Sequence, residues 1–361
     1  MVFRANAGGV TTKNSSLDQH EPSTAWFRAP RATSCVRGAT TPGPCRGARS
    51  TREPVPGSGR ASIAEVEIEV GTAGAVVLAG GRSSRMGEPK AALEWHGSTL
   101  LHRTAAVLAR TVGGPVVVVK AAGQELPALP AGVAVVEDPV EGLGPMQGIA
   151  VGLAALAERA PAAFVCSTDM PFLHPAFVRR VLRGFTEGGF TGGGFTEGAP
   201  DVVLPMARGF RQPLAAGYRT ALADRVAKLA AERSLKLGML FEQCEVRKLD
   251  DAALLADRDI ARFDPQLDSV VNVNAPEDYT SARQRPAPDV VVECFGALAS
   301  RGQRGPRTVG VATLGAAAEA VGLALDRHVV AALNGDQISR DAQLPLVAGD
   351  IVAFLSADAG G

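Results

Sequence analysis

The chain lacks an excess of either charge: 37 lysines and arginines face 37 aspartates and glutamates in 361 residues. No net field then draws it to nucleic acid or an anionic membrane, so any charge effect is local. It also lacks a run of 18 or more apolar residues, the length a spanning helix needs, and its N-terminus has no apolar secretory core. A cytoplasmic location is the resulting expectation, with neither nucleic acid nor membrane as partner. Cysteine is sparse, with Cys35, Cys45, Cys166, Cys244 and Cys294 forming neither a CxxC pair nor a Cys/His cluster at zinc spacing. They read as free thiols, and Cys166, on an apolar strand, reads as a small core residue. Two phosphate-loop types are missing too. No GK[ST] closes a Walker A loop, and Gly80, Gly81 and Gly87 are not spaced as a dinucleotide fingerprint.

What is present is a hydrophobic fraction of 46%, ample for buried cores, in a length that suits two or more domains. Residues 1–70 are rich in Arg, Ser, Thr, Gly and Pro, without sustained periodicity until Ile63–Ile68, and are expected to be disordered. An organelle transit peptide and a mis-assigned start codon are the alternatives for this stretch. From Ala73 onward strands and helices alternate, which predicts a doubly wound, mostly parallel α/β sheet with helices on both faces. Expected strands are Ala75–Leu78, Val116–Val119, Val133–Glu137 and Ala163–Cys166. Ser98 or Thr99 caps a helix bearing Leu101, Ala105 and Leu108, and Met146, Ile149, Ala150, Leu153 and Leu156 mark another. Near-copies of GFTEGG between Gly184 and Gly198 read as a tolerated low-complexity loop. The composition breaks again at Ser281–Asp289. The expected domains are therefore 73–283 and 289–361, joined by a linker over 284–288. The second has an α+β pattern: a strand at Val290–Phe295, a capped helix at Thr313–Val321, a strand at Val329–Leu333 before the Asn334-Gly335-Asp336 turn, and a last strand at Ile351–Leu355.

The most informative segment is LAGGRSSRMGEPK, Leu78 to Lys90, directly after the apolar run Ala75-Val76-Val77. Adjacent glycines, Gly80 and Gly81, let the backbone turn sharply and bring N–H groups against a ligand, while Arg82, Arg85 and Lys90 add positive charge. At the carboxyl end of a strand, where open α/β sheets bind ligands, such a loop suits a polyphosphate. An isolated Gly-Gly-Arg would read instead as a surface turn. Asp169, in Ser167-Thr168-Asp169-Met170-Pro171, follows an apolar strand and projects at the same edge. It suits Mg²⁺, which takes one or two carboxylates plus substrate oxygens, or else caps the next turn. Asp138, before Pro139, reads as a turn residue. In Val271-Asn272-Val273-Asn274-Ala275-Pro276-Glu277-Asp278, a helix start with Asn274 as cap and acids in its first turn accounts for the residues structurally.

Taken together, these motifs resemble the molybdenum cofactor guanylyltransferase family, whose loop reads LAGG-x-x-x-RMG-x-x-K, over about Ala73 to Arg283. Sugar-nucleotide and cytidylyl transferases share looser versions. The resemblance implies transfer of GMP from GTP to molybdopterin, with release of pyrophosphate. It places Leu78, Ala79, Gly80, Gly81 and Asp138 at the nucleotide, Asp138 and the following Glu141–Gly148 being similar to the family's D…GPLAG segment. It assigns Arg85 and Lys90 to the departing pyrophosphate, and makes Asp169 the Mg²⁺ ligand. It puts Asn272 and Asn274, within an NxNxPED-like segment, and Arg211, in Arg211-Gln212-Pro213-Leu214, at the acceptor. The family's asparagine after the second strand is replaced by Lys120-Ala121-Ala122. The second glycine of LAGG favours GTP, since cytosine-using relatives tend to carry LAAG; CTP is the alternative. Residues 289–361, finishing in Gly360-Gly361, resemble the ubiquitin-like (β-grasp) sulfur carriers of molybdopterin and thiamine biosynthesis, without that family's proline-rich approach to the tail. This resemblance implies an adenylating enzyme and the large subunit of molybdopterin synthase as partners. The alternatives are an unstructured Gly-Gly end and a non-catalytic nucleotide-binding scaffold attached to a carrier.

Overall fold

The computed structural model describes residues 73–80, 89–140, 142–187, 190–191, 194–195, 199–299, 305–335 and 337–357. The expectations for residues 1–70 and for Cys35, Cys45, Gly81, Arg82, Arg85, Gly87, Glu141, Asp336, Gly360 and Gly361 lie outside the described residues.

The first strand, β1 (Gly74–Leu78), is buried at every position. An unbroken apolar run of this kind is what a central parallel strand covered on both faces requires. It pairs in parallel with β2 (Val116–Ala121) on one side and, on the other, with the strand Ala162–Ser167, while Ala134–Asp138 continues the sheet beyond β2. In chain order these last two are β3 (Ala134–Asp138) and β4 (Ala162–Ser167). The sheet is completed by β5 (Val202–Ala207), β6 (Phe210–Arg211), β7 (Ala215–Arg219) and β8 (Val246–Asp250), in the order β6-β5-β7-β4-β1-β2-β3, with β8 parallel to β5. Only β7 and β6 run antiparallel to their neighbours. On one face α1 (Leu100–Ala109) and α3 (Pro175–Arg183) close a core through Leu101, Ala105, Leu108, Phe177 and Val181. On the other, α2 (Gly144–Leu156) and α4 (Ala223–Ala231) bury Met146, Ile149, Leu153, Val226 and Leu229.

The expected doubly wound, mostly parallel sheet is therefore present, with boundaries shifted by a residue or two. The cap of α1 is Thr99, whose Oγ1 accepts from His102 N at 3.2 Å. Within the GFTEGG-like repeat, Phe190–Thr191 and Gly194–Phe195 pair as a two-residue hairpin. One helix start differs from expectation. In α5 (Pro276–Arg283) the N-cap position is Ala275, and Asp278 Oδ2 accepts from both Asn274 N and Ala275 N. Asp278 thus closes back on the two residues before the helix, while the Asn274 side chain accepts from Lys90.

A second sheet is built from β9 (Asp289–Cys294), β10 (Arg307–Gly310), β11 (Val329–Leu333), β12 (Gln337–Ser339) and β13 (Ile351–Ser356), in the order β10-β9-β13-β11-β12. Its central pair, β9 and β13, is parallel and the other pairs are antiparallel. The helix α6 (Leu314–Ala320), capped by Thr313, packs Leu314 and Ala317 onto Val290, Val292, Val352 and Phe354. Among the described residues, no helix is long and apolar enough to cross a membrane.

Candidate active site

The carboxyl ends of β1 and β4 are stitched together. The Leu78 carbonyl accepts from Thr168 N at 3.3 Å and from Thr168 Oγ1 at 2.9 Å, which brings Asp169 beside the glycine turn. Pro89 leads into a short 3-10 turn, Lys90–Ala92, that aims the lysine back across the strand ends. Lys90 Nζ donates to Asp169 Oδ2 at 2.7 Å and to Asn274 Oδ1 at 2.9 Å. Ser167 Oγ donates to the other carboxylate oxygen, Asp169 Oδ1, at 2.5 Å. The Asp169 carbonyl accepts from Val273 N at 2.9 Å, so the segment carrying Asn274 is anchored to the loop carrying the carboxylate. Three separate motifs of the sequence thus meet at one point. The side chains of Lys90 and Asp169 keep 23% and 13% of their exposure, so an incoming ligand can reach the pair.

The glycine turn is packed closely against the loop after β2. Gly80 N lies 3.3 Å from the Val119 carbonyl, so this N–H is already engaged with β2 instead of facing a phosphate. A Cβ at Gly80 would stand 3.3 Å from Ala121 N, a tight approach to which the backbone of β2 would have to yield. Sequence reasoning missed the residue that clamps these two loops. Gln124 Nε2 donates to the Ala79 carbonyl at 3.0 Å, while its Oε1 accepts from Ala121 N at 3.0 Å. No periodicity marks such a residue, because both its partners are backbone groups. Ser167 and Thr168 were equally unassigned, although they stand next to Asp169 in the chain.

The remaining expected residues do not join the Lys90–Asp169 cluster. Asp138 ends β3 and its Oδ1 accepts from Val140 N at 3.0 Å, the turn role its place before Pro139 suggests. Arg211 is exposed on the short strand β6. Asn272 is exposed two residues before Asn274, in the same segment. Cys166 is fully buried, and burial pushes its thiol up, with the Asp169 carboxylate adding to the effect, so it is an inert core residue as expected.

A mostly parallel sheet with a lysine–carboxylate pair at the carboxyl ends of its strands is consistent with a nucleotidyltransferase. A family model described as the MobA-like NTP transferase domain matches residues 75–248. A "Probable molybdenum cofactor guanylyltransferase" of Bacillus cereus is 30% identical over 215 residues, which is 58% of this chain and 94% of the relative. The chain belongs to the MobA-like NTP transferase family. A relative of the same description from Mycobacterium tuberculosis is 43% identical over 111 residues, 30% of this chain and 54% of its own. Among solved structures, molybdopterin-guanine dinucleotide biosynthesis protein A from Archaeoglobus fulgidus is 22% identical. The match covers 58% of this chain and 97% of that one, with a TM-score of 0.43.

Proposed function

We propose that the chain transfers GMP from GTP to molybdopterin, forming the guanine dinucleotide and releasing pyrophosphate. The observation that carries this reading is the convergence of Lys90, Asp169 and Asn274 on one another from three distant motifs. An acceptor phosphate oxygen attacks the α-phosphorus, the bond to the β-phosphate bridging oxygen breaks, and pyrophosphate leaves. Positioning and electrostatics supply most of the acceleration in such a displacement. Lys90, with Arg85, neutralises charge on the departing pyrophosphate. Leu78, Ala79, Gly80, Gly81 and Asp138 border the nucleotide, while Asn272, Asn274 and Arg211 serve the acceptor side. The Gln124 amide, held against Ala79, supplies a polar group on the loop where the family's asparagine is missing.

The donor set fits a hard cation such as Mg²⁺. Asp169 offers a carboxylate braced by the Ser167 hydroxyl. Among the described residues no cluster of three or more His, Cys, Asp or Glu could hold an ion by itself, so a bound ion would rely on Asp169 together with phosphate oxygens. Such an ion, held by Asp169, would supply neutralisation of phosphate charge. Lys90 is the chain's own cation at the same carboxylate, donating to Asp169 Oδ2 at 2.7 Å.

Residues 73–283 form the transferase domain in this reading, 284–288 the linker, and 289–361 a ubiquitin-like sulfur carrier for an earlier step of the same pathway. The β10-β9-β13-β11-β12 order, with its central parallel pair and a helix on one face, supports the carrier reading. An adenylating enzyme and the large subunit of molybdopterin synthase are the partners it calls for. Turnover of GTP against CTP with purified molybdopterin tests the transferase. GTP-dependent pyrophosphate release is expected, and a strong preference for CTP overturns the choice of base.

A further inference from the structure

The turn Leu346–Asp350, which leads into β13 of the second sheet, is packed against the first. Asp350 is buried and accepts a two-pronged hydrogen bond from Arg110, at the end of α1, at 2.9 and 3.0 Å. The same carboxylate accepts from Asn334 Nδ2 at 2.9 Å and from Val347 N at 2.8 Å, so the turn itself is rigid. Val347 enters the core closed by α1 and α3. Gly349, at φ +84°, lies so close to Phe263 that a Cβ there would stand 2.4 Å from the ring.

Two side chains link this turn to the loop that carries Asp169. Arg103, buried on α1, donates from Nε to the Pro171 carbonyl at 2.6 Å and from NH1 to the Leu346 carbonyl at 3.4 Å. His174 closes the other end of the loop. Its Nδ1 accepts from Ala176 N at 3.1 Å, which leaves Nε2 as the donor to the Ala348 carbonyl at 3.0 Å. Its ring stacks on Phe263 at 5.7 Å. The stretch from Asp169 to His174 is therefore held at Pro171 and at His174 by groups that simultaneously hold the turn. A cavity of about 320 Å³, walled by Trp95, Phe172, Phe263 and Arg285, borders these contacts and leaves the loop room to shift when they are lost.

We infer that the Leu346–Asp350 turn is a positioning element for nucleotidyl transfer, seating the Asp169 loop through Arg103 and His174, so that the C-terminal sheet acts on the chemistry of the first. Arg103 and His174 are positioning residues: neither touches the reacting groups. Partners that orient a metal-binding carboxylate indirectly commonly change metal affinity or activity by about 10- to 100-fold. This inference rests on the reading of Asp169 as the metal-binding carboxylate.

The test uses the full chain and two variants. Gly349→Ala pushes the turn away from Phe263 without altering any residue of the loop, and Arg103→Lys keeps the charge but not the forked geometry. In the folded variant, backbone amide exchange at Met170, Phe172 and Leu173 should quicken by about tenfold. The Mg²⁺ concentration for half-maximal pyrophosphate release should rise by about tenfold, with the rate at saturating Mg²⁺ within about twofold of the parent. If Gly349→Ala does not fold, Arg103→Lys decides by the same readings. Parental exchange and parental Mg²⁺ dependence in a variant with a matching thermal transition overturn the inference. A parent that releases no pyrophosphate from GTP removes the proposed activity instead, and amide exchange alone then decides whether the turn seats the loop.

Discussion

Lys90 Nζ donates to Asp169 Oδ2 at 2.7 Å across 79 positions of sequence, and the contact sits at the mouth of the parallel sheet. With side chains 23% and 13% exposed the pair is only partly screened by water, so loss of either partner leaves the other charge partly desolvated.

Replacing Lys90 with alanine should accordingly lower the rate of pyrophosphate release by about 10²- to 10³-fold, the scale seen when a charge-stabilising donor is removed. The thermal midpoint should fall as well, since Asp169 is left partly desolvated without its cation. Asn274→Ala removes an acceptor that steadies Lys90 together with a side chain assigned to the acceptor side, and should lower the rate by at least about tenfold. Steady-state kinetics and a thermal melt check both, and a Lys90→Ala enzyme with parental turnover would remove the lysine from the mechanism.

Arg110 and Asp350 behave differently, since both are almost fully buried. Arg110→Met leaves the Asp350 carboxylate buried without its charge partner and should cost about 3–5 kcal/mol of stability in chemical denaturation. Adding Asp350→Asn removes the stranded charge while keeping a side-chain acceptor for Val347 N, so the double variant should recover part of that loss. A double variant less stable than Arg110→Met would show that the charge itself is not the problem.

Asp264 sets a pH dependence. Burial raises its carboxyl to about 6, despite hydrogen bonds from Ser269 and Asp268 that pull the other way. The unfolded chain releases this proton near pH 4, so between about pH 4 and 6 the folded state binds more protons than the unfolded one. Stability from this group is then greatest below pH 4, falls through that window and is flat above it. Relative to Asp264→Asn, the parent should lose about 2–3 kcal/mol from pH 4 to 6.5. Denaturation series at both ends check the difference, and a constant gap would place the carboxyl in its ordinary range.

The parts legible in the sequence were those with local causes. The run Gly74–Leu78 followed by glycine reads as a buried strand and turn because burial on both faces demands continuous apolar residues. Asp169 before Met170-Pro171 was visible for a similar reason, as the proline limits the strand. The Arg110–Asp350 pair was not legible, because 240 residues separate its members and only the packing of two sheets brings them together. Arg103 sits in a helix where an arginine ordinarily reads as a solvated side chain, yet it is buried between two carbonyls. The expectation that Asn274 caps the following helix missed for a subtler reason. Asp278 reaches back to the N–H groups of Asn274 and Ala275, and the Asn274 side chain is turned to Lys90 instead.

The contact between Gly349 and Phe263 bears on how such a chain can change over time. A side chain at 349 needs both a smaller neighbour at 263 and tolerance of a left-handed backbone, whereas 263 can shrink while 349 stays glycine, so the constraint runs one way. A C-terminal half that carries a larger residue at 349 would therefore not seat against this first sheet unless position 263 were reduced as well.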